Sequence, residues 1–139
     1  MATPSSVAPS LAVNVVVLDT DVVIDLLKKQ ADLVAQFVAM HEQGVQFCLS
    51  PIVVAEIYAG AFKKEYADIE AFFSLCTVLS LDAKTAKQAG LLANAYRKAH
   101  NGISLEDYLL AATAMQLNCP LWTQNVKHYP MADLQLLKN

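Results

Sequence analysis

Three acidic residues, Asp19, Glu56 and Asp107, each stand near the point where a strand or loop gives way to an apolar helical stretch. Three carboxylates about 5 Å apart repel by roughly 3 kcal/mol per pair at an effective dielectric of 20. Such a cluster persists when a hard divalent cation occupies it, and oxygen ligands select Mg²⁺ or Mn²⁺ over zinc. A cation held in this way can polarise a phosphate oxygen and acidify a water for in-line attack. Each acid also has an ordinary structural reading. Asp19 directly follows the apolar run 13–18 and could cap a helix beginning near Asp21. Glu56 is the only charge in residues 51–62 and could lie on the exposed edge of a mostly buried helix. Ser104-Leu105-Glu106-Asp107 has the form of a capping box, with Glu106 also available to the helix dipole.

The elements that must position these acids follow from the hydrophobic pattern. Residues 13–18 are apolar apart from Asn14 and mostly β-branched, which predicts a strand buried on both faces. Val22, Val23, Leu26 and Leu27 then form one helical stripe before Lys28-Lys29. A second helix is expected over 31–42, stopped by Gly44, and a strand over 45–49. Ser50-Pro51 reads as N-cap and first position of a third helix over 51–62. An amphipathic helix over 64–74, a strand over 76–81 and a long helix capped by Asp82 follow. A further helix over 104–117, a strand over 120–123 and a last strand over 134–137 complete the chain. This alternation predicts an α/β fold: one domain with a mostly parallel sheet and helices on both faces. Ligands bind beyond the carboxyl ends of such strands, the edge from which Asp19 should project.

Four segments then carry a family resemblance. Leu18-Asp19-Thr20-Asp21-Val22, Ser50-Pro51-Ile52-Val53-Val54-Ala55-Glu56, Ser104-Leu105-Glu106-Asp107-Tyr108 and Trp122-Thr123-Gln124-Asn125 resemble, in order, the four motifs of PIN-domain ribonucleases, especially the VapC-type toxins of toxin–antitoxin pairs. The resemblance runs from about residue 13 to 137. It implies that Asp19, Glu56 and Asp107 bind the metal, that RNA is the substrate and that a small antitoxin protein silences the enzyme. Residue 21 is often Asn in these toxins and is Asp here. Residue 125, where many PIN domains carry a fourth acid, is Asn, which brings an amide oxygen but no charge and so implies one firmly held metal. Thr20 and Thr123 are expected to orient ligands or water at the site.

Bulk properties set the frame. With 139 residues the chain supports one full core, assigned here to residues 11–139, behind a floppy tail over 1–10. Its 55% hydrophobic and 17% charged content excludes disorder and leaves apolar surface for a partner, which predicts a homodimer and an antitoxin groove along the helices at 21–29 and 51–62. A net charge of −3 provides no basic field for nucleic acid, so binding must be local or metal-assisted. Cys48, Cys76 and Cys119 lack zinc or disulfide spacing and read as buried thiols of a cytoplasmic protein. The charge-free run 108–126 is interrupted by Gln116, Asn118, Pro120, Gln124 and Asn125, so no membrane span is expected. His41, His100 and His128 have no spacing that marks a zinc site or a catalytic pair, and Trp122 and Tyr129 read as core. Two rival functions remain. A haloacid-dehalogenase-like phosphatase would use Asp19 and Asp21 but needs a downstream lysine and a later acidic pair. A catalytically silent PIN-like binding module would not need all three acids.

Overall fold

The structure, a computed structural model, describes residues 14–138; the expected tail over 1–10 and the start of the expected first strand lie outside the described residues. The apolar β-branched run becomes β1, Val15–Leu18, in which Val16, Val17 and Leu18 are all buried. Successive strand side chains point to opposite faces, so burial of all three requires cover on both faces. Asp19 caps α1, Thr20–Leu27, which is followed by α2, Ala31–Glu42. Gly44 then adopts φ +88, a left-handed value that lets the chain reverse into β2, Gln46–Leu49. Ser50 caps α3, Pro51–Ala59, and a 3-10 turn at Lys63–Glu65 leads into α4, Tyr66–Phe73. After β3, Thr77–Val78, come α5, Ala83–Tyr96, and α6, Leu105–Leu117. The chain ends with β4, Leu121–Trp122, a 3-10 turn at Val126–His128, and β5, Leu136–Leu137.

All the strand pairings are parallel and the order is β3-β2-β1-β4-β5. The chain builds outward from β1 to β3, then returns to the other side of β1 and builds outward again. Its order therefore reverses between β1 and β4, the place where open α/β sheets form a ligand crevice. The Asp19 amide donates to the Trp122 carbonyl at 2.9 Å, extending the β1–β4 ladder one residue past the strand end. Asp19 is thereby set beside Thr123. Helix α6 lies against β1, β4 and α5, while α1 packs on α2, α3 and α4. Phe37 stacks on Phe47 at 4.2 Å, and Phe47 meets Trp122 at 6.3 Å, joining α2 to the sheet centre.

Four expectations need correction. Helix α3 ends at Ala59 rather than continuing to Phe62. Gly60 is a poor helix former, and the Glu65 carboxylate accepts the Phe62 amide at 2.7 Å to start a new turn. The helix expected over 64–74 accordingly begins as that 3-10 turn. Strand β3 is two residues long rather than six. It is an edge strand with one partner, and after the Leu79 amide bonds Leu49 at 2.8 Å the chain turns to the Asp82 cap. Cys48 and Cys119 are buried as expected, but Cys76 is half-buried. Burial pushes the Cys76 thiol up to about 12 and Cys119 to about 11, so both are poor nucleophiles. Among the described residues, no helix is long and apolar enough to cross a membrane.

Candidate active site

The crevice beyond β1 and β4 is a cavity of about 330 Å³ lined by Asp19, Thr20, Asp21, Ile24, Glu56, Ser104, Asp107, Asn125 and His128. The three acids singled out from the sequence thus meet in one place, with Asn125 at its rim. Four carboxylates line this cavity, and none of the lining residues is Lys or Arg.

Asp19 is both a helix cap and a wall of the cavity. As the N-cap of α1 it accepts the Thr20 amide on Oδ1 at 2.8 Å. Its Oδ2 accepts the Thr123 hydroxyl at 2.7 Å and the Tyr129 hydroxyl at 3.0 Å. Burial raises the Asp19 carboxyl above the ordinary carboxylate range, against the lowering effect of the bonds from Thr123, Tyr129 and Thr20, and the charge of Asp107 adds to the rise. Thr123 is fully buried on β4's end and accepts the Asn125 amide at 2.9 Å, so its hydroxyl is already committed on both sides. It orients Asp19.

Asp107 also serves its cap. Ser104 and Asp107 form the reciprocal capping box, at 3.2 Å for the Asp107 amide and 3.4 Å for the Ser104 amide. The same carboxylate reaches outward to His128 Nδ1 at 2.8 Å and lies 3.2 Å from the Tyr129 hydroxyl that also meets Asp19. Glu56 lies on the exposed face of α3, as its structural reading supposed, yet it accepts the Thr20 hydroxyl at 2.6 Å and borders the cavity. Thr20 and Thr123 each hold a carboxylate.

Asp21 is the fourth acid. The Gln124 amide donates to its Oδ2 at 3.2 Å, while its Oδ1 is enclosed with no hydrogen-bond partner. Burial, followed by the charge of Asp19, pushes its carboxyl up to about 6. Among the described residues, no three His, Cys, Asp or Glu side chains form a ready-made metal cage. The donor set still suits a hard cation. Beside the His128 imidazole it offers four carboxylates and no Lys or Arg, with one enclosed carboxylate oxygen unpartnered.

Reading the sequence missed His128 and half of Tyr129. Tyr129 is core, at 3% exposure, but its hydroxyl belongs to the site. His128 pairs with Asp107 despite lacking a recognisable partner spacing. The 3-10 turn at Val126–His128 delivers both residues, and their one-turn distance from Asn125 is the only sequence signal that pointed there.

The PIN domain family matches residues 16–134. The chain is 36% identical over 119 residues to Ribonuclease VapC19 of Mycobacterium tuberculosis, covering 85% of this chain and 95% of the relative. It is 31% identical to Ribonuclease VapC10 of the same organism, over 85% of this chain and 88% of that one. A structure of VapBC-1 from nontypeable Haemophilus influenzae superposes with a TM-score of 0.76 at 27% identity, over 89% of this chain and 97% of that one. A VapBC2 structure from Rickettsia felis, at 22% identity, shares the fold with a TM-score of 0.79, over 90% of this chain and 98% of that one. The crevice sits where this fold places its strand reversal, and the match spans all four of its acids: the chain belongs to the PIN-domain family, among its VapC members.

Proposed function

We propose that this protein is a divalent-metal-dependent endoribonuclease and the toxin of a toxin–antitoxin pair. The observation that carries this reading is the convergence of Asp19, Glu56 and Asp107 on one cavity that no Lys or Arg lines. The ribonuclease relatives, 36% and 31% identical, supply the substrate class.

Asp19 and Asp107 would hold Mg²⁺ or Mn²⁺, with Glu56 joining directly or through water. The cation supplies Lewis-acid polarisation of a phosphate oxygen and acidifies water for attack. Everything else is done by this chain's own side chains. Thr123 fixes the Asp19 carboxylate, Ser104 and His128 fix Asp107, and Thr20 restrains Glu56. Exposed Glu56 can turn towards a phosphodiester more easily than buried Asp19. Asn125 offers an amide to the substrate or to a hydrating water. With four acids at the cavity, RNA phosphates approach only when positive charge accompanies them.

The partner is assigned to a cavity of about 390 Å³ between α1, α3 and α4, where Ile24, Leu27, Ile57 and Ile69 form an apolar wall beside the charged Lys28, Glu56, Glu65 and Asp68. It shares Ile24 and Glu56 with the acidic cavity, so a small antitoxin seated there lies beside the chemistry. The VapBC-1 likeness supports such a pairing. We further assign the nuclease unit to residues 11–139, a homodimeric state and a cytoplasmic location. The phosphatase reading fails on its own requirement, because no lysine lines the acidic cavity.

Product ends test the chemistry. Attack by water with the ribose 3′-oxygen as the leaving group gives a 3′-hydroxyl and a 5′-phosphate, and those are the ends expected. Products ending in a 2′,3′-cyclic phosphate would mean that the ribose hydroxyl attacks, and would sink the metal-assisted hydrolysis reading.

A further inference from the structure

We propose that Tyr129 is a positioning residue that sets the spacing of Asp19 and Asp107 for a bound cation. Thr123 bonds Asp19 and Ser104 bonds Asp107, whereas the Tyr129 hydroxyl reaches both carboxylates, at 3.0 and 3.2 Å. The two acids come from different elements, one from the end of β1 and one from the first turn of α6. The phenol is a direct side-chain link across the strand reversal.

A phenol has a single proton to donate and oxygen lone pairs to accept with. It can serve one carboxylate at a time as donor, which leaves the other contact oxygen to oxygen. Two carboxylates gathered around one such hydroxyl are held closer than their charges favour, at a spacing that added positive charge relieves. The ring is anchored for this task. Tyr129 is 3% exposed, and its amide donates to the Val126 carbonyl at 3.0 Å, closing the 3-10 turn. A cation arriving at this pair meets ligands already ordered, which is how groups behind a metal site raise its affinity. The assignment rests on the metal-site reading above.

Tyr129→Phe keeps the ring and removes the hydroxyl. Calorimetric titration of Mn²⁺ should give binding about tenfold weaker than wild type. The Mn²⁺ needed for half-maximal RNA cleavage should rise by the same factor, while the maximal rate falls by less; a simple packing defect would not produce that split. In the wild-type protein, Mg²⁺ should produce a tyrosine ultraviolet difference spectrum that the Phe variant lacks. This last arm reads the native chain and stands even if the variant folds poorly. Equal Mn²⁺ affinity in the two proteins, or Mg²⁺ binding to wild type with no tyrosine signal, overturns the role of Tyr129 and leaves the metal site standing. Wild-type protein that gives no Mn²⁺ heat overturns the metal site, and this inference with it.

Discussion

Replacing Asp19 with Asn should abolish cleavage and, without metal, make the protein more stable. One phenolic oxygen lies 3.0 Å from Asp19 Oδ2 and 3.2 Å from Asp107 Oδ1, so these two oxygens are no more than about 6 Å apart. Two full charges at that distance repel by about 3 kcal/mol at an effective dielectric of 20. The amide also escapes the burial that raises the Asp19 carboxyl. It fits the same contacts: its oxygen can accept the Thr20 amide, and its nitrogen can donate to the Thr123 and Tyr129 hydroxyls once these rotate. Weaker neutral hydrogen bonds take back part of the gain, leaving about 1–2 kcal/mol. For a domain of this size that is a rise in melting temperature of about 3–8 °C. Because the folded carboxyl binds its proton more tightly than the unfolded one, its contribution is fully present below the unfolded pKa and lost as pH rises through the folded value. The advantage of Asp19→Asn should therefore widen with rising pH. Thermal melts in EDTA at low salt, run from pH 4 to pH 8, are the assay. A variant that melts below wild type at pH 8 would mean that the three hydrogen bonds outweigh burial and repulsion, and would refute this account of the site's electrostatics.

Other perturbations follow from the same contacts. Asp21→Asn should flatten the metal-free pH profile, because a folded pKa of about 6 means that stability present near pH 4 is lost as pH rises through 6. After discounting for solvent the loss is about 1–2 kcal/mol, and parallel profiles from wild type and variant would contradict it. Thr123→Val takes one of three hydrogen bonds from buried Asp19 and removes the hydroxyl that accepts the Asn125 amide, and urea melts should record a cost of about 1–3 kcal/mol. Asn125→Asp adds a charge at the rim of the cavity and should tighten Mn²⁺ at least tenfold by calorimetry, a gain that needs only about 1.4 kcal/mol. Unchanged affinity there would make the fourth motif purely structural.

The acids were legible because each obeys a local rule. Asp19 caps α1, Asp107 closes a capping box with Ser104, and Glu56 is the lone charge of an otherwise apolar helix. Strand-end placement then gathered them at one sheet edge. The groups that hold the acids were less visible. Thr123 could be nominated from its place after β4, but nothing in its neighbours said that its hydroxyl would meet Asp19 across the strand reversal. His128 and Tyr129 depend on a 3-10 turn closed by the Asn125 and Val126 carbonyls, a geometry with no hydrophobic period to betray it. Element ends were misjudged where one side chain intervenes, as Glu65 does at Phe62. The β3 strand was overestimated because apolar residues at a sheet edge look like those of a central strand until the pairing is known.

In the proposed function, Asp19, Glu56 and Asp107 would hold the divalent cation needed for RNA cleavage. The most direct test is incubation of purified, partner-free protein with single-stranded RNA, with and without Mg²⁺ or Mn²⁺. Cleavage should appear with either cation and stop in EDTA, and folded Asp107→Asn protein should leave the RNA intact. Undiminished cleavage in EDTA, or full activity in Asp107→Asn, would contradict the assignment of this cavity as the active site.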